Sequence, residues 1–260
     1  MSLDIGLSAP SALILLASAF GAGVMNAMAG GGTILTFPTL VFLGQPTIAA
    51  NATSTVALLP GTAATIFGFR REVQENRGWL WTLLAPSLVG GAIGSVLLLA
   101  TPEEVFARLA PVLVLFATVL FMLQGVLAKP TGAASHPPVG RRLAAAVLLQ
   151  FGVAVYGGYF GAGIGILMLA LLGFMGLHDI HAANGVKAFF GLAINAVAAA
   201  YFILRGAVVW PLALVIVLGA TLGGYSGARF ARHIGRGKAR AAVVLIGLLV
   251  TALLFWQQAG

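Results

Sequence analysis

Lys187 stands three residues after Asn184, at the head of the apolar run AFFGLAINAVAAAYFIL, with no acidic residue in that segment to pair it. On a helix this spacing puts both side chains on one face, a turn apart. A charge inside an apolar layer is costly unless it is paired or hydrated, so an intramembrane lysine is a candidate for holding an anion. The plainer reading is a long stem that carries its ammonium out to the headgroups. A second asparagine, Asn51, begins NATST, where Thr53, Ser54 and Thr55 supply small hydroxyls. Such residues cap a helix and line a cavity, and the amides of a helix N-terminus offer partial positive charge to an anion. Capping and close packing of small residues account for them equally well without a ligand.

Two glycine clusters come next: Gly30, Gly31 and Gly32 in NAMAGGGT, and Gly161, Gly163 and Gly165 in YFGAGIG. Glycine loses the most entropy in a helix and leaves the backbone uncovered. In hydrocarbon such a break survives only where the freed N–H and C=O groups face protein or a water-filled cavity. Thr33 adds a hydroxyl beside those amides, which fits an oxyanion. GAGIG has neither the preceding strand nor the acidic residue of a dinucleotide loop. Met25, Asn26, Met28, Tyr156 and Tyr159 flank the breaks and read first as packing residues. His178, Asp179 and His181 form HDIH, the spacing of a proton relay or a metal site, and also of a wet helix start capped by Asp179. Cysteine is absent, which removes thiolate metal sites, disulfides and thiol redox chemistry. No cofactor is expected.

The elements that must position these groups follow from composition. The 260 residues are 60% hydrophobic and 8% charged, with a mean hydropathy of +1.04, against about 25% charged in ordinary soluble domains. This is an all-α polytopic membrane protein. Apolar segments fall at 10–43, 48–69, 78–100, 105–128, 142–176, 182–204, 207–227 and 240–257. The first and fifth far exceed the roughly 20 residues of a span, and each carries its glycine cluster near the middle, so each is either a kinked span or a hairpin. The net charge of +8 comes from Lys and Arg lying almost wholly between segments, which reads as a topology signal and not as a nucleic-acid surface. The N-terminal stretch lacks a basic n-region, carries Asp4 and runs on into the glycine break, so it is expected to be kept and not cleaved as a signal. Trp79, Trp81, Trp210 and Trp256 fall near segment ends as interfacial anchors, and Arg205 marks a membrane edge.

Eight single crossings would divide the basic loops almost evenly between the two faces. Hairpins in the first and fifth segments put 70–77, 129–142 and 229–240 together on the cytoplasmic face, as the positive-inside rule favours. The chain also repeats itself: Gly30 and Gly32 match Gly161 and Gly163, Ala49-Ala50-Asn51 matches Ala182-Ala183-Asn184, and Gly90, Gly91 and Gly94 match Gly223, Gly224 and Gly227. The expected organisation is an N-terminal repeat (1–128), a cytoplasmic linker (129–141) and a C-terminal repeat (142–260). Each repeat would hold one hairpin and three crossings, up to ten helical pieces in all, so the second is inverted relative to the first. Paired broken segments in inverted repeats are the architecture of secondary transporters. The two hairpin tips would meet near the midplane, with Asn51, Asn184 and Lys187 flanking the gap.

The glycine cluster GAGVMNAMAGGG before TFPTLVFLG, the helix start AANATST and the second-half stretch YGGYFGAGIGILMLALLGFMGLHDIHAANGVKAFF together resemble the sulfite exporter TauE/SafE family of membrane permeases. The resemblance covers nearly the whole chain. It implies transport of small sulfur-containing or organic anions such as sulfite or sulfoacetate across the bacterial inner membrane, in either direction. The expected partners are that anion and the lipid bilayer, with protons as a candidate coupling ion through His178 and His181, and a homo-oligomer is compatible with the sequence. A membrane-embedded metal enzyme built on HDIH, or a non-transporting subunit of a larger complex, are the alternatives. Both termini are expected outside the cytoplasm. A reporter fused to the C-terminus should therefore be active only in the periplasm, and a cytoplasmic signal would refute the hairpin topology.

Overall fold

The computed structural model describes residues 8–28, 31–127, 140–177, 179–234 and 236–259; Asp4, Gly30, His178 and the linker stretch 129–139 lie outside them. Among the described residues the chain forms helices α1 Ala9–Met28, α2 Thr33–Phe42, α3 Thr47–Gly68, α4 Arg70–Glu75, α5 Arg77–Ala100, α6 Glu103–Leu127, α7 Arg141–Tyr159, α8 Ile164–Phe174, α9 Ile180–Leu204, α10 Trp210–Ile234 and α11 Arg236–Ala259. By length and apolar composition α1, α5, α6, α7 and α9 can each cross a membrane. α3 has the length, with polar residues in its first turns. Two differences from the sequence expectation lie in basic stretches. Arg70–Glu75 is a short helix and not a loop, closed by an Arg71 Nε to Glu75 Oε1 contact of 2.8 Å at i,i+4. Residues 229–234 and 236–240 are helical as well, as a composition of Arg, Lys and Ala favours.

The two overlong segments break and fold back. α2 returns along α1: Ser18 Oγ donates to the Leu35 carbonyl at 3.0 Å and accepts from Thr39 Oγ1 at 2.8 Å, while Gly32 lies against Ala22. α8 returns along α7, with Ile164 packed on Gly157 and Ala146, near the start of α7, in one cluster with Leu172, near the end of α8. Positive φ angles at Gly31 (108°), Gly161 (76°) and Gly163 (76°) make the turns, a region that costs other L residues energy. Each hairpin thus has one long arm and one short arm, of 20 and 10 residues in the first and 19 and 11 in the second.

Helices pair across the halves. α1 packs along α10 and α7 packs along α5; α3 crosses α9, and α6 crosses α11. Exchanging the halves maps this set of pairings onto itself. The two long pairings are made backbone to backbone: a Cβ on Gly223 would overlap the Phe20 carbonyl, and a Cβ on Gly90 would stand 2.7 Å from the carbonyl of Phe151. Phe20 and Phe151 are partners under the same repeat shift as Gly30 and Gly161. Lipid tails are as apolar as leucine, so apolar burial does little to drive helices together in a bilayer, and close van der Waals approach at small residues takes its place. A buried hydrogen bond from Gln150 Nε2 to Ser87 Oγ, 2.8 Å, joins α5 and α7 as well. The core accordingly falls into two clusters. One surrounds the first hairpin with α6 and α10, the other the second hairpin with α5 and α9.

Replacing Gly223 by Ala should lower the melting temperature of the detergent-solubilised protein and its yield, because the backbone of α1 must move. At Gly61, where nothing lies within 4 Å of a Cβ, the same change should be neutral or stabilising, since alanine is favoured over glycine by up to about 1 kcal/mol in a helix interior. A fluorescence-detected thermal shift of both variants checks the pair.

Candidate functional site

The two turns meet. A Cβ on Gly31 would stand 3.3 Å from the Gly163 amide nitrogen, and one on Gly163 would stand 3.5 Å from Ala117 Cα. Ala117 lies near the middle of the 25-residue α6, close to where α6 crosses α11 at Thr118 and Gly247. The backbone groups freed at each turn are treated differently. In the first, Asn26 Oδ1 accepts from the amides of Gly31 at 3.0 Å and Gly32 at 2.8 Å. Those two donors are therefore engaged and do not face a ligand, which removes the expected oxyanion role of Gly31 and Gly32. Thr33 begins α2 immediately after them and is buried. In the second turn Tyr156 Oη donates to the Ala162 carbonyl at 2.6 Å, while the buried amides of Ala162, Gly163 and Gly165 have no hydrogen-bond partner among the described residues. The positive end of α8 is thus exposed inside the protein.

The polar start of α3 is sealed. Thr53 Oγ1 accepts from the Val209 amide at 3.0 Å, just before α10, and Ser54 Oγ is hydrogen-bonded to Thr36 Oγ1 at 2.5 Å. Both hydroxyls serve helix packing. Asn51 Nδ2 donates to the Tyr159 carbonyl at 2.9 Å, and its buried Oδ1 has no partner among the described residues. α3 has Pro46 at its N-cap, so its first amides are capped from α6: Glu103 accepts from the amides of Thr47 and Ile48 and from Thr47 Oγ1. Phe37, Phe106, Phe160 and Tyr159 close this end with edge-on ring contacts, the tightest 5.3 Å between Phe37 and Phe160. Such pairs each add about 0.5–1.5 kcal/mol beyond their burial.

α9 carries a polar strip along one face. Lys187 Nζ donates to Asn184 Oδ1 at 2.8 Å, and Asn184 Nδ2 donates back to the Ile180 carbonyl at 2.7 Å. Gly191 lies one turn beyond Lys187 with nothing within 4 Å of its missing side chain. Asn195 lies another turn on, its Oδ1 3.6 Å from where a Cβ on Gly161 would be, and it makes no hydrogen bond among the described residues. Asn184, Lys187, Gly191 and Asn195 share one face at helical spacing, all half-buried. They form a polar strip that runs from the α4 end of α9 to the second glycine turn. Gly185 packs on Phe69 and Glu72, beyond the far end of α3 from Asn51. The two asparagines are therefore roughly 25 Å apart at about 1.5 Å of rise per residue, and they do not flank one gap.

His181 is exposed in the first turn of α9, and Asp179 caps that helix by accepting from the Ala182 amide at 2.7 Å. Among the described residues no three His, Asp or Glu side chains gather to hold a metal; His178 lies outside them. Trp79 is buried in the second core cluster with its Nε1 unpartnered, so it is no interfacial anchor, whereas Trp81, Trp210 and Trp256 are exposed. Arg205 stacks over the Tyr201 ring at 5.9 Å at the end of α9.

A sequence-family model for the sulfite exporter TauE/SafE matches residues 15–254. The chain belongs to the sulfite exporter TauE/SafE family. Similar curated proteins include a probable membrane transporter protein of Haemophilus influenzae, 28% identical over 98% of both chains. Others are the probable membrane transporter protein YfcA of Escherichia coli, 27% identical over 95% of this chain and 90% of that one, and ORF9 of a Sinorhizobium species, 26% identical over 90% and 88%. No solved structure matches the chain. Family and relatives mark it as a membrane transporter with several spanning helices.

Within this TauE/SafE chain, Asn195 and Gly191 were absent from the sequence-based site. A lone asparagine in AINAVAAA was the available signal. Asn26, read as packing, instead holds the first turn together. Asn26→Ala would leave two amides without their acceptor, at a cost of about 1–3 kcal/mol per buried group. A drop in melting temperature is expected, with Asn26→Asp, which keeps an acceptor, intermediate.

Proposed function

We propose that this protein is a secondary transporter of a small sulfur-containing or organic anion, sulfite or a sulfonate such as sulfoacetate, in the bacterial inner membrane. The two halves, 1–128 and 142–260, act as inverted-topology repeats joined by the 129–141 linker, and the exchange-symmetric pairing of α1 with α10 and of α7 with α5 supports that reading. The observation that carries the function is the polar face Asn184, Lys187, Gly191 and Asn195 ending at unpartnered amides of the second glycine turn. It offers an ammonium, a carboxamide and helix-end N–H groups, all of which favour an anion, within a bundle whose spanning helices carry their acidic residues only near their ends. The anion rests between the turn and Lys187, and Lys187 releases Asn184 to receive it.

A charge-assisted hydrogen bond in such a place is worth about 1.5–3 kcal/mol, or roughly a 10- to 150-fold change in affinity. Lys187→Met, which keeps the stem, should weaken binding of the preferred anion by that factor in a panel of sulfite, sulfoacetate, taurine, lactate and formate on purified protein. Gly191→Leu should fold normally, because the position is open, yet block flux into proteoliposomes. Unchanged affinity in the first and unchanged flux in the second would refute the site. Flux by this chain alone in liposomes would also separate a transporter from a non-transporting subunit.

A further inference from the structure

The two copies of the asparagine landmark differ in one respect. Asn184 Oδ1 accepts from an ammonium, that of Lys187 one turn on. Asn51 is the matching residue, and the residue three positions after it is Ser54, which is turned to Thr36. Asn51 Oδ1 is left buried with no donor, in a residue only 1% exposed. The assignment of its two atoms is fixed by chemistry: the Tyr159 carbonyl can only accept, so the atom facing it is Nδ2 and the free one is oxygen. A buried acceptor without a donor is costly. It is also the wrong sign for an anion, so Asn51 leaves the anion site proposed from its sequence.

Asn51 meets α7 at that helix's C-terminal turn, where partial negative charge collects. There the carbonyls of Gly157, Gly158 and Phe160 receive no hydrogen bond among the described residues. Neutral oxygens from an asparagine and a broken helix's carbonyl end are ligands for a hard monovalent cation, while the opposite, amide end of the break suits an anion. A divalent ion would call for carboxylates, and the carboxylate found near this end, Glu103, is engaged in capping α3. We propose that Asn51 Oδ1 and the terminal carbonyls of α7 bind a sodium ion, which occupies in the first repeat the role that the Lys187 ammonium plays in the second. Its positive charge offsets the negative charge of the travelling anion, and its binding makes the transporter sodium-coupled.

The coupling role rests on the transporter reading; the binding does not. Radiolabelled sodium binding and thermal stability of the purified full-length protein are measured in NaCl, KCl and choline chloride at equal ionic strength, without substrate. Saturable sodium binding with a stabilisation absent in choline is expected, and Asn51→Ala should weaken it at least about tenfold. Equal behaviour in all three salts, or an effect of potassium alone, overturns the proposal and needs no variant to fold. In proteoliposomes, anion flux indifferent to a sodium gradient would overturn coupling while leaving the transporter reading intact. Sodium binding without any anion flux would overturn the transporter reading, and the coupling with it, while leaving the cation site intact.

Discussion

In hydrocarbon every backbone N–H and C=O must find a partner inside the protein, and the architecture of this chain is organised around the two places where the helical ladder is cut. A cut in water is inexpensive, because solvent takes up the freed groups. Here the first cut is repaired by a side chain, the Asn26 carboxamide reaching two amides, and the second only in part: the Tyr156 hydroxyl donates to the Ala162 carbonyl and the Tyr156 carbonyl accepts from the Gly161 amide. The amides of Ala162, Gly163 and Gly165 are left without partners among the described residues, and Gly161 beside them lies close to Asn195 of the α9 strip. Repair and function are complementary at these sites: what Asn26 satisfies is structure, and what nothing satisfies is available to a ligand.

The turns can be placed against each other only because their long arms are held from outside. α1 is clamped by α10 and α7 by α5 at glycine contacts so close that no side chain fits. Each clamp comes from the opposite half, so neither repeat completes its own core, consistent with the two clusters each mixing residues from both halves. The clamps place Gly31 against Gly163, with glycine on both sides of the contact. A displacement of either hairpin must therefore be matched by the other.

Much of this was legible in the residues. Segment edges followed from apolar length and the breaks from triple glycine and GAGIG, because these are local signals. What was not legible depended on direction within a helix start. NATST reads as one polar cluster, yet a helix turns by 100° per residue, so Asn51, Thr53 and Ser54 face α7, α10 and α2 respectively. Likewise Asn51 and Asn184 look like a pair that should converge. In antiparallel helices, the residue near the start of one lies at the far end of the other, so matched positions converge only near mid-helix. Asn195, three residues past the middle of α9, satisfies that condition, and the asparagines near the starts do not.

The same geometry explains why two similar sequences can sit in dissimilar environments. The start of α3 is closed by Glu103 on Thr47, by Asn51 on Tyr159, by Tyr159 Oη near Thr101 at 3.3 Å and by the phenylalanine cluster. The start of α9 is instead capped by Asp179 and packed on α4 through Gly185, and the open space along that helix lies at its middle, beside Gly191. The two helix starts, matched in sequence, are thus held by different partners. Under the transport reading, alternating access requires the sealed α3 end to open. The contacts that seal it are hydrogen bonds and ring edges, and the glycine clamp of α7 on α5 reaches them: a Cβ on Gly94 would stand 2.8 Å from the Tyr159 amide, and one on Gly158 would overlap the Gly91 carbonyl. Tyr159 is therefore held with α5 and α7 as one body, and the opening falls on the bond from Asn51 to the Tyr159 carbonyl and on the ring contacts of Phe37 and Phe106 with Phe160 and Tyr159.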